Sequence, residues 1–476
     1  MRPPRIEKGL VLDGFTLQAP LKLGGMAQIW EVTAEGADMP LVMKIPLILD
    51  GDDPTMIVGF EMEQMILPRL AGPHVPRCVA AGDFSHQPHI VMERIAGRSL
   101  YERMGEAPFA AEEVASLGLA VARALCDLHR QNVLHLDVKP ANVLIRDDGT
   151  AVLVDYGLAR HRLLPDLLAE EFRLPIGTAP YMAPEQVLHA RDDPRSDIFA
   201  LGCVLYEMTT GRQPFGDPRG ARRLRKRLWW DPWPPRALRT DCPPWLQEII
   251  LRCLAVDPAG RYPTMAQLAF DLAHPAEVRL TAAGSRQRRD GSLARLRRWF
   301  RALGAERPAP VALDRAEATA PIVLVAVDLS TDYCAVADAV RGMAGRMLTL
   351  LPSARLACVN VLKLRRIGID ETTDGEGRAL HVARLVQLRA WAAPLGLPAD
   401  RISFHVLEST DPAEAIVVHA RENHVDQVIM GARGQSGTRR YLGSVSARVA
   451  AEAPCTVTVV RAALQASLPP ASHHSA

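Results

Sequence analysis

The 476-residue chain has little that would fasten it covalently or lodge it in a membrane. Its eight cysteines are scattered, without a Cys-x-x-Cys pair or a metal-ligand spacing. That excludes a disulfide scaffold and a zinc module, and fits a reducing compartment with thiols in ordinary cores. No apolar run approaches the ~20 residues that cross a bilayer, and the opening MRPPRIEKG lacks the apolar core of a signal segment, so a cytoplasmic location is expected. Nor is charge of one sign in excess. A formal net charge of +2, with 23% charged residues, gives no overall pull towards nucleic acid, which is not expected as a partner. Apolar residues are plentiful at 48%, enough at this length for two or three domains with real cores.

One stretch is organised for chemistry. In VLHLDVKPANVLI, residues 133–145, Asp137, Lys139 and Asn142 fall on a loop between two apolar runs, and DYG follows at 155–157. Phosphoryl transfer needs a base near the attacking hydroxyl, a cation on the moving phosphate and oxygen ligands for magnesium. Asp137 and Lys139 are therefore the candidate catalytic residues, and Asn142 and Asp155 the candidate metal ligands.

This ordered set resembles the catalytic and metal loops of bacterial serine/threonine protein kinases, which usually read His-Arg-Asp, then Lys-Pro-x-Asn, and Asp-Phe-Gly. The resemblance runs from about Phe15 to Pro275. It implies an α+β two-lobed kinase fold, ATP with Mg2+ (Mn2+ as an alternative) as cofactors, and Ser or Thr hydroxyls of proteins, this chain's own included, as acceptors. Upstream, FTLQAPLKL, AQIWEVTA and PLVMKI alternate as strands, with Leu23, Gly24 and Gly25 at the first turn, where the absent Cβ lets amides approach phosphate. Lys22 and Ala27 stand where the kinase loop has its first and third glycines. The resemblance assigns Lys44 to the ATP phosphates and to a glutamate on the helix FEMEQMILPRL. Glu63 suits that role better than Glu61 by its distance from the turn at Ala71. Ile29 and Met43 are expected to roof the adenine, Met92 to back its pocket, and the backbone of Glu93 and Ile95 to bond the base.

The segment from Asp155 to Glu185 departs from the family pattern. Leu136 replaces the arginine that awaits a phosphorylated residue, and the segment's only Ser or Thr is Thr178, in the Gly-Thr expected to contact Asp137. Both halves of a phosphate–arginine switch are missing together, so activity without activation-loop phosphorylation is expected. Asp166, Glu170 and Glu171 read as a solvated acidic loop, the alternative being that they lend this segment negative charge. Glu185 of Ala-Pro-Glu should pair with Arg261, and Asp197 should hold the catalytic-loop backbone.

Between 286 and 301 seven arginines face one acid, Asp290. Residues 276–320 read as a basic Arg/Pro-rich linker. LARLRRWFRAL within it could form an amphipathic helix with weak affinity for an anionic membrane or an acidic partner. From 321 to 462 strand-like and helical stretches alternate, the pattern of an α/β doubly wound parallel sheet with its ligand crevice at the strands' carboxyl ends. GARGQSGTRRYLGSVS, 431–446, lies at one such end. Gly431, Gly434, Gly443 and Ser444, with Asp328 after the first strand, resemble the nucleotide-binding members of the universal stress protein family. That resemblance implies ATP as a ligand and self-association through this domain. Residues 1–14 read as an extension and 463–476 as a disordered tail. A different class of function, a weakly catalytic kinase-fold scaffold that binds nucleotide and signals through the stress domain, is the alternative.

Overall fold

The structure, a computed structural model, describes residues 6–23, 27–47, 54–84, 86–218, 220–289, 291–304, 320–329, 334–364, 379–432 and 443–461. Gly24, Gly25, Gly434 and the 463–476 tail lie outside them. The chain divides into two units, Met1–Arg315 and Ala316–Ala476.

The first unit opens with a small lobe. Its strands are β1 (Val11–Leu12), β2 (Phe15–Leu23), β3 (Ala27–Thr33) and β4 (Leu41–Pro46). Helix α1 (Pro54–Ile66) follows, then β5 (Cys78–Gly82) and β6 (His89–Glu93), giving one antiparallel sheet in the order β1-β2-β3-β4-β6-β5. Alternation settles which side chains share a face. Ile29 sits opposite Lys44, Val42 opposite Met92 and Lys44 opposite Ile90, so Ile29, Val42, Lys44 and Met92 turn to one side. Met43 turns to the other, into a core with Leu17, Trp30 and Val91. The expectation that Met43 roofs the adenine is therefore corrected: the residue on Lys44's face is Val42. Helix α1 also starts earlier than FEMEQMILPRL suggests, at Pro54, whose fixed φ suits a first helical position. It stops at Ile66 because Pro68 cannot continue the ladder, and a short 3-10 turn takes over at Leu67–Arg69.

The large lobe begins with β7 (Arg98–Ser99), α2 (Leu100–Arg103) and α3 (Ala111–Arg130), whose buried stripe is Val114, Leu117, Val121, Leu125 and Leu128. Next come β8 (Val133–Leu134) and the hairpin β9 (Val143–Ile145) and β10 (Ala151–Leu153), turned by Gly149 at φ +83°. After β11 (Arg160–His161) come α4 (Leu167–Glu171), α5 (Pro184–Val187) and α6 (Arg195–Thr210). Helix α6 is buried nearly all round, and Gly211 closes it in the left-handed conformation. The unit ends with α7 (Ala221–Leu224), α8 (Pro235–Leu238), α9 (Pro244–Cys253), α10 (Met265–Ala273), α11 (Ala282–Ser285) and α12 (Ser292–Leu303). Gln247 of α9 donates to the carbonyls of Ala283, Gly284 and Arg286, and Glu248 accepts from Thr281, so residues 281–286 are fastened to this lobe.

The second unit contains β12 (Ile322–Ala326), α13 (Cys334–Leu350), β13 (Arg355–Lys363), α14 (Leu380–Ala392), β14 (Ile402–Ser409), α15 (Pro412–Glu422), β15 (Gln427–Gly431), α16 (Ser444–Glu452) and β16 (Thr456–Val460). The five strands form one parallel sheet, β14-β13-β12-β15-β16, with an apolar core on each face. The strand order reverses between β12 and β15, where open sheets of this kind leave a crevice. Asp411 caps α15 by accepting from the Glu414 amide.

Within the large lobe the buried Arg261 guanidinium grips Glu185 with two parallel bonds of 2.7 and 2.8 Å, and Ser196 donates to the same carboxylate at 2.6 Å. Replacing one partner leaves the other charge buried and unpaired. Arg261→Met should lower the unfolding free energy of the first unit by about 3–5 kcal/mol. The double change Arg261→Met/Glu185→Gln should recover part of the loss in the same urea titration.

Candidate active site

The cleft face of the small lobe meets the large lobe at Lys44. Its ammonium donates to Glu63 Oε2 at 2.5 Å and to Asp155 Oδ1 at 2.8 Å. Glu63 is buried, with 2% of its side chain exposed, whereas Asp155 is 46% exposed. Burial pushes Glu63 above the usual carboxylate range against the pull of Lys44 and the Tyr156 amide. The charge of Lys44 holds Asp155 well below that range. Burial alone would lower Lys44, but the two carboxylates outweigh it and keep the ammonium charged. Glu61, also buried, is not the partner.

The loop between β8 and β9 is built around Asp137. Its Oδ1 accepts from the Thr178 amide at 3.0 Å, and its Oδ2 from Lys139 at 2.6 Å and the Asn142 amide at 3.1 Å. Lys139 also donates to Thr178 Oγ1 at 2.9 Å. The Asn142 nitrogen is committed to Asp137, so its side-chain oxygen remains as acceptor, and its main-chain carbonyl takes the amide of Val154 next to Asp155. Two protein oxygens, rather than a closed cage, suit a magnesium ion that keeps water and phosphate ligands. Below the loop, buried Asp197 accepts from the amides of His135 (3.0 Å) and Leu136 (2.8 Å) and bonds His129 Nε2 at 2.8 Å.

The acidic stretch after DYG is not a solvated loop. Asp166 is nearly buried, caps α4 through the Ala169 amide, and accepts from Arg191 Nε at 2.9 and 3.2 Å, with Arg160 Nε at 3.8 Å. Composition cannot show this, because Arg191 lies beyond the segment and only the fold brings it back. Leu167 and Leu168 are buried, and α4 packs against α1. A Cβ on Gly59 of α1 would stand 3.0 Å from the carbonyl of Gly157 in DYG, so the two backbones are in direct contact. Tyr156 is buried, donates its hydroxyl to the Leu153 carbonyl at 3.0 Å and lies tilted against the His135 ring at 5.4 Å between centroids.

In the second unit a cavity of about 250 Å³ opens at the carboxyl ends of β12, β13 and β15. Asp328, Gly431, Gly443 and Ser444 line it. Gly431 is fixed by packing, since a Cβ there would stand 2.4 Å from Val336. Sequence reasoning misses two further wall residues, Asn360 and Lys363. Asn360 is buried and donates to the Val327 carbonyl at 2.8 Å, while its Oδ1 has no hydrogen-bond partner. Ser446, buried, donates to Gly443 O at 3.1 Å.

With this geometry in view, residues 21–271 match the model of the protein kinase domain family, just over half the chain. The chain belongs to the protein kinase family. Residues 320–461 of this kinase match the universal stress protein family. Over 272 residues it is 32% identical to the probable serine/threonine-protein kinase PknB of Corynebacterium glutamicum, covering 55% of this chain and 42% of that protein. It is 30% identical to the serine/threonine-protein kinase PknL of Mycobacterium bovis, covering 57% and 68%. The match thus spans less than half the length of the first relative and about two thirds of the second. The solved PknI kinase domain of Mycobacterium tuberculosis is 25% identical, with 57% of this chain and 100% of that chain covered at a TM-score of 0.46.

The kinase unit draws Lys44, Glu63, Asp155, Asp137, Lys139 and Asn142 into one cleft. Leu23 ends β2 with 68% exposure. Met92 is buried on the cleft face of β6. The amide of Glu93 donates to the Arg77 carbonyl at 2.9 Å and is thereby committed within the small lobe. Burial lifts the thiols of Cys78 and Cys242 to about 11 and that of Cys203 to about 12, and no cysteine among the described residues is paired.

Removing the ammonium strands the buried Glu63. Lys44→Met should cost on the order of 3 kcal/mol at neutral pH. Glu63's folded-state value is raised, so the penalty is absent at low pH and grows as pH rises through that value. Asp155's value is depressed by Lys44, so the wild type loses that stabilisation as pH falls. Both trends shrink the difference in melting temperature between wild type and variant on acidification. A difference that widens between about pH 8 and pH 5 contradicts this account.

Proposed function

We propose that the kinase unit transfers the γ-phosphoryl group of ATP to Ser or Thr hydroxyls on proteins. The observation that carries this reading is the Asp137 carboxylate, held by Thr178, Lys139 and Asn142 beside the Lys44–Glu63–Asp155 group. Asp137 orients the acceptor hydroxyl and takes its proton, work for a general base fixed by three donors. Lys139, two residues on, meets the charge of the moving phosphoryl group. Lys44, anchored by Glu63, aligns the α and β phosphates. Asn142 and Asp155 are the residues that would hold magnesium, which supplies charge neutralisation between the phosphates when bound. Val42, Ile29 and Met92 present an apolar wall to the base.

No activation-loop phosphate enters this mechanism. Leu136 offers none an arginine, and Asp166 already occupies Arg191. Dephosphorylated protein should keep its activity, and Asp166→Asn should lower it by loosening α4 from the lobe. In the stress-protein unit we place a nucleotide in the cavity beside Asp328, with phosphates toward Gly443 and the start of α16. That unit is a sensor on the same chain and a surface for self-association.

Lys22 and Ala27 in the glycine-loop positions favour a second reading, a scaffold that binds nucleotide without turning it over. Asp137→Asn separates the two. Transfer of label from ATP should fall by about 10²–10⁴ while ATP affinity is kept; background transfer that is equal in wild type and variant supports the scaffold instead. Titration of the full chain with ATP should show two sites, and Asp328→Ala should remove one of them. A single site unchanged by Asp328→Ala would rule out the second nucleotide.

A further inference from the structure

An amphipathic helix on a globular protein normally turns its apolar stripe to the core. Helix α12 is turned the other way. Arg298 reaches down to Asp231 with two bonds of 3.0 and 2.6 Å, and Ala302, one turn on, is half-buried. Leu296, Trp299, Phe300 and Leu303 stand 48%, 38%, 61% and 61% exposed. With about 3.6 residues per turn these four fall within an arc of about 100°, opposite Arg298. Arg298 fastens one side of the helix to the lobe, and the apolar arc faces out.

The surface around it is basic. Arg297 is exposed on the helix itself, and α12 packs on the turn Arg225–Leu228, where Arg225 and Lys226 are exposed. Trp233, 45% exposed, lies two residues from Asp231 with the Arg289 guanidinium 4.5 Å above its ring.

We propose that α12 is a docking helix for an anionic lipid surface, holding the kinase on membranes by insertion of Leu296, Phe300 and Leu303 to the level of the acyl boundary. An acidic protein surface without an apolar groove would satisfy the arginines and leave the apolar arc wet. A bilayer bearing anionic headgroups satisfies both, with Trp299 at the interface where indoles settle. Each nearby cation adds attraction that salt screens. This site is independent of the phosphotransfer reading.

The full chain is sedimented with vesicles of phosphatidylcholine alone and of phosphatidylcholine mixed with phosphatidylglycerol. It should bind the mixed vesicles and release them as salt rises. Trp299→Glu/Phe300→Glu should reduce binding at least about tenfold, and Arg297→Glu at least about fivefold, both with an unchanged melting temperature. The Arg297→Glu result stands by itself if the double change disturbs folding. Absence of vesicle binding, or binding that ignores all these substitutions, overturns the proposal. So does a wild-type dimer that Trp299→Glu/Phe300→Glu converts to monomer without any lipid binding, which assigns the face to a second copy of the chain.

Discussion

A single ammonium, that of Lys44, is shared by two carboxylates that the sequence keeps far apart, and the geometry of the cleft depends on it. Glu63 is too deeply buried to stay charged alone, so its place in the structure requires Lys44. Asp155 is half exposed and needs no such rescue, but Lys44 keeps it ionised and fixes its direction. One cation therefore couples the position of α1 to the DYG turn. The Gly59–Gly157 contact makes the coupling short-ranged: α1 lies against the DYG backbone itself, with no side chain between them to absorb a shift.

The same economy governs the catalytic loop. Leu136 has φ +59°, a conformation that a leucine adopts only when its surroundings impose it. They do so twice, since Asp197 takes its amide and Gln186 donates to its carbonyl at 2.9 Å. Gln186 belongs to α5, which carries Glu185 and hence the Arg261 grip. The backbone of the loop presenting Asp137 is thus tied by buried side chains to α5 and α6 of the large lobe. A kinase that lacks the phosphate-sensing arginine still holds this loop, because the holding is done by neutral donors and buried acids.

What the sequence discloses follows from how local its signals are. Strand alternation, the Asp-Gly hairpin at 147–149 and the stripe of α3 are written in neighbouring residues and recur in the structure with little change. The spacing of Asp137, Lys139 and Asn142 is local too, and Glu63 is preferred over Glu61 by its distance from a turn. Met43 falls on the face opposite to the expected one because strand alternation is relative: it says that Met43 and Lys44 differ, and only the pairing with β3 and β6 says which side is the cleft. Asp166 is illegible for a different reason. Its partner Arg191 lies well downstream, and no composition argument joins an acid to an arginine across a folded segment.

Asn360 belongs to the same class, and it gives the second unit's crevice a direction. Its amide nitrogen is tied to Val327, next to Asp328, and its buried oxygen is without a partner. On this side of the cavity the wall carries the Asp328 carboxylate and the Asn360 oxygen, with the ammonium of Lys363 at the end of β13. On the other side Gly443 begins α16, where helix amides and the macrodipole favour negative charge. A ligand that fits both ends offers a donor to the Asn360 oxygen and an anion to the α16 side. Parallel strands make this unavoidable: they send all their carboxyl ends to one edge, so acceptors from β12 and β13 and the helix that follows β15 face the same crevice.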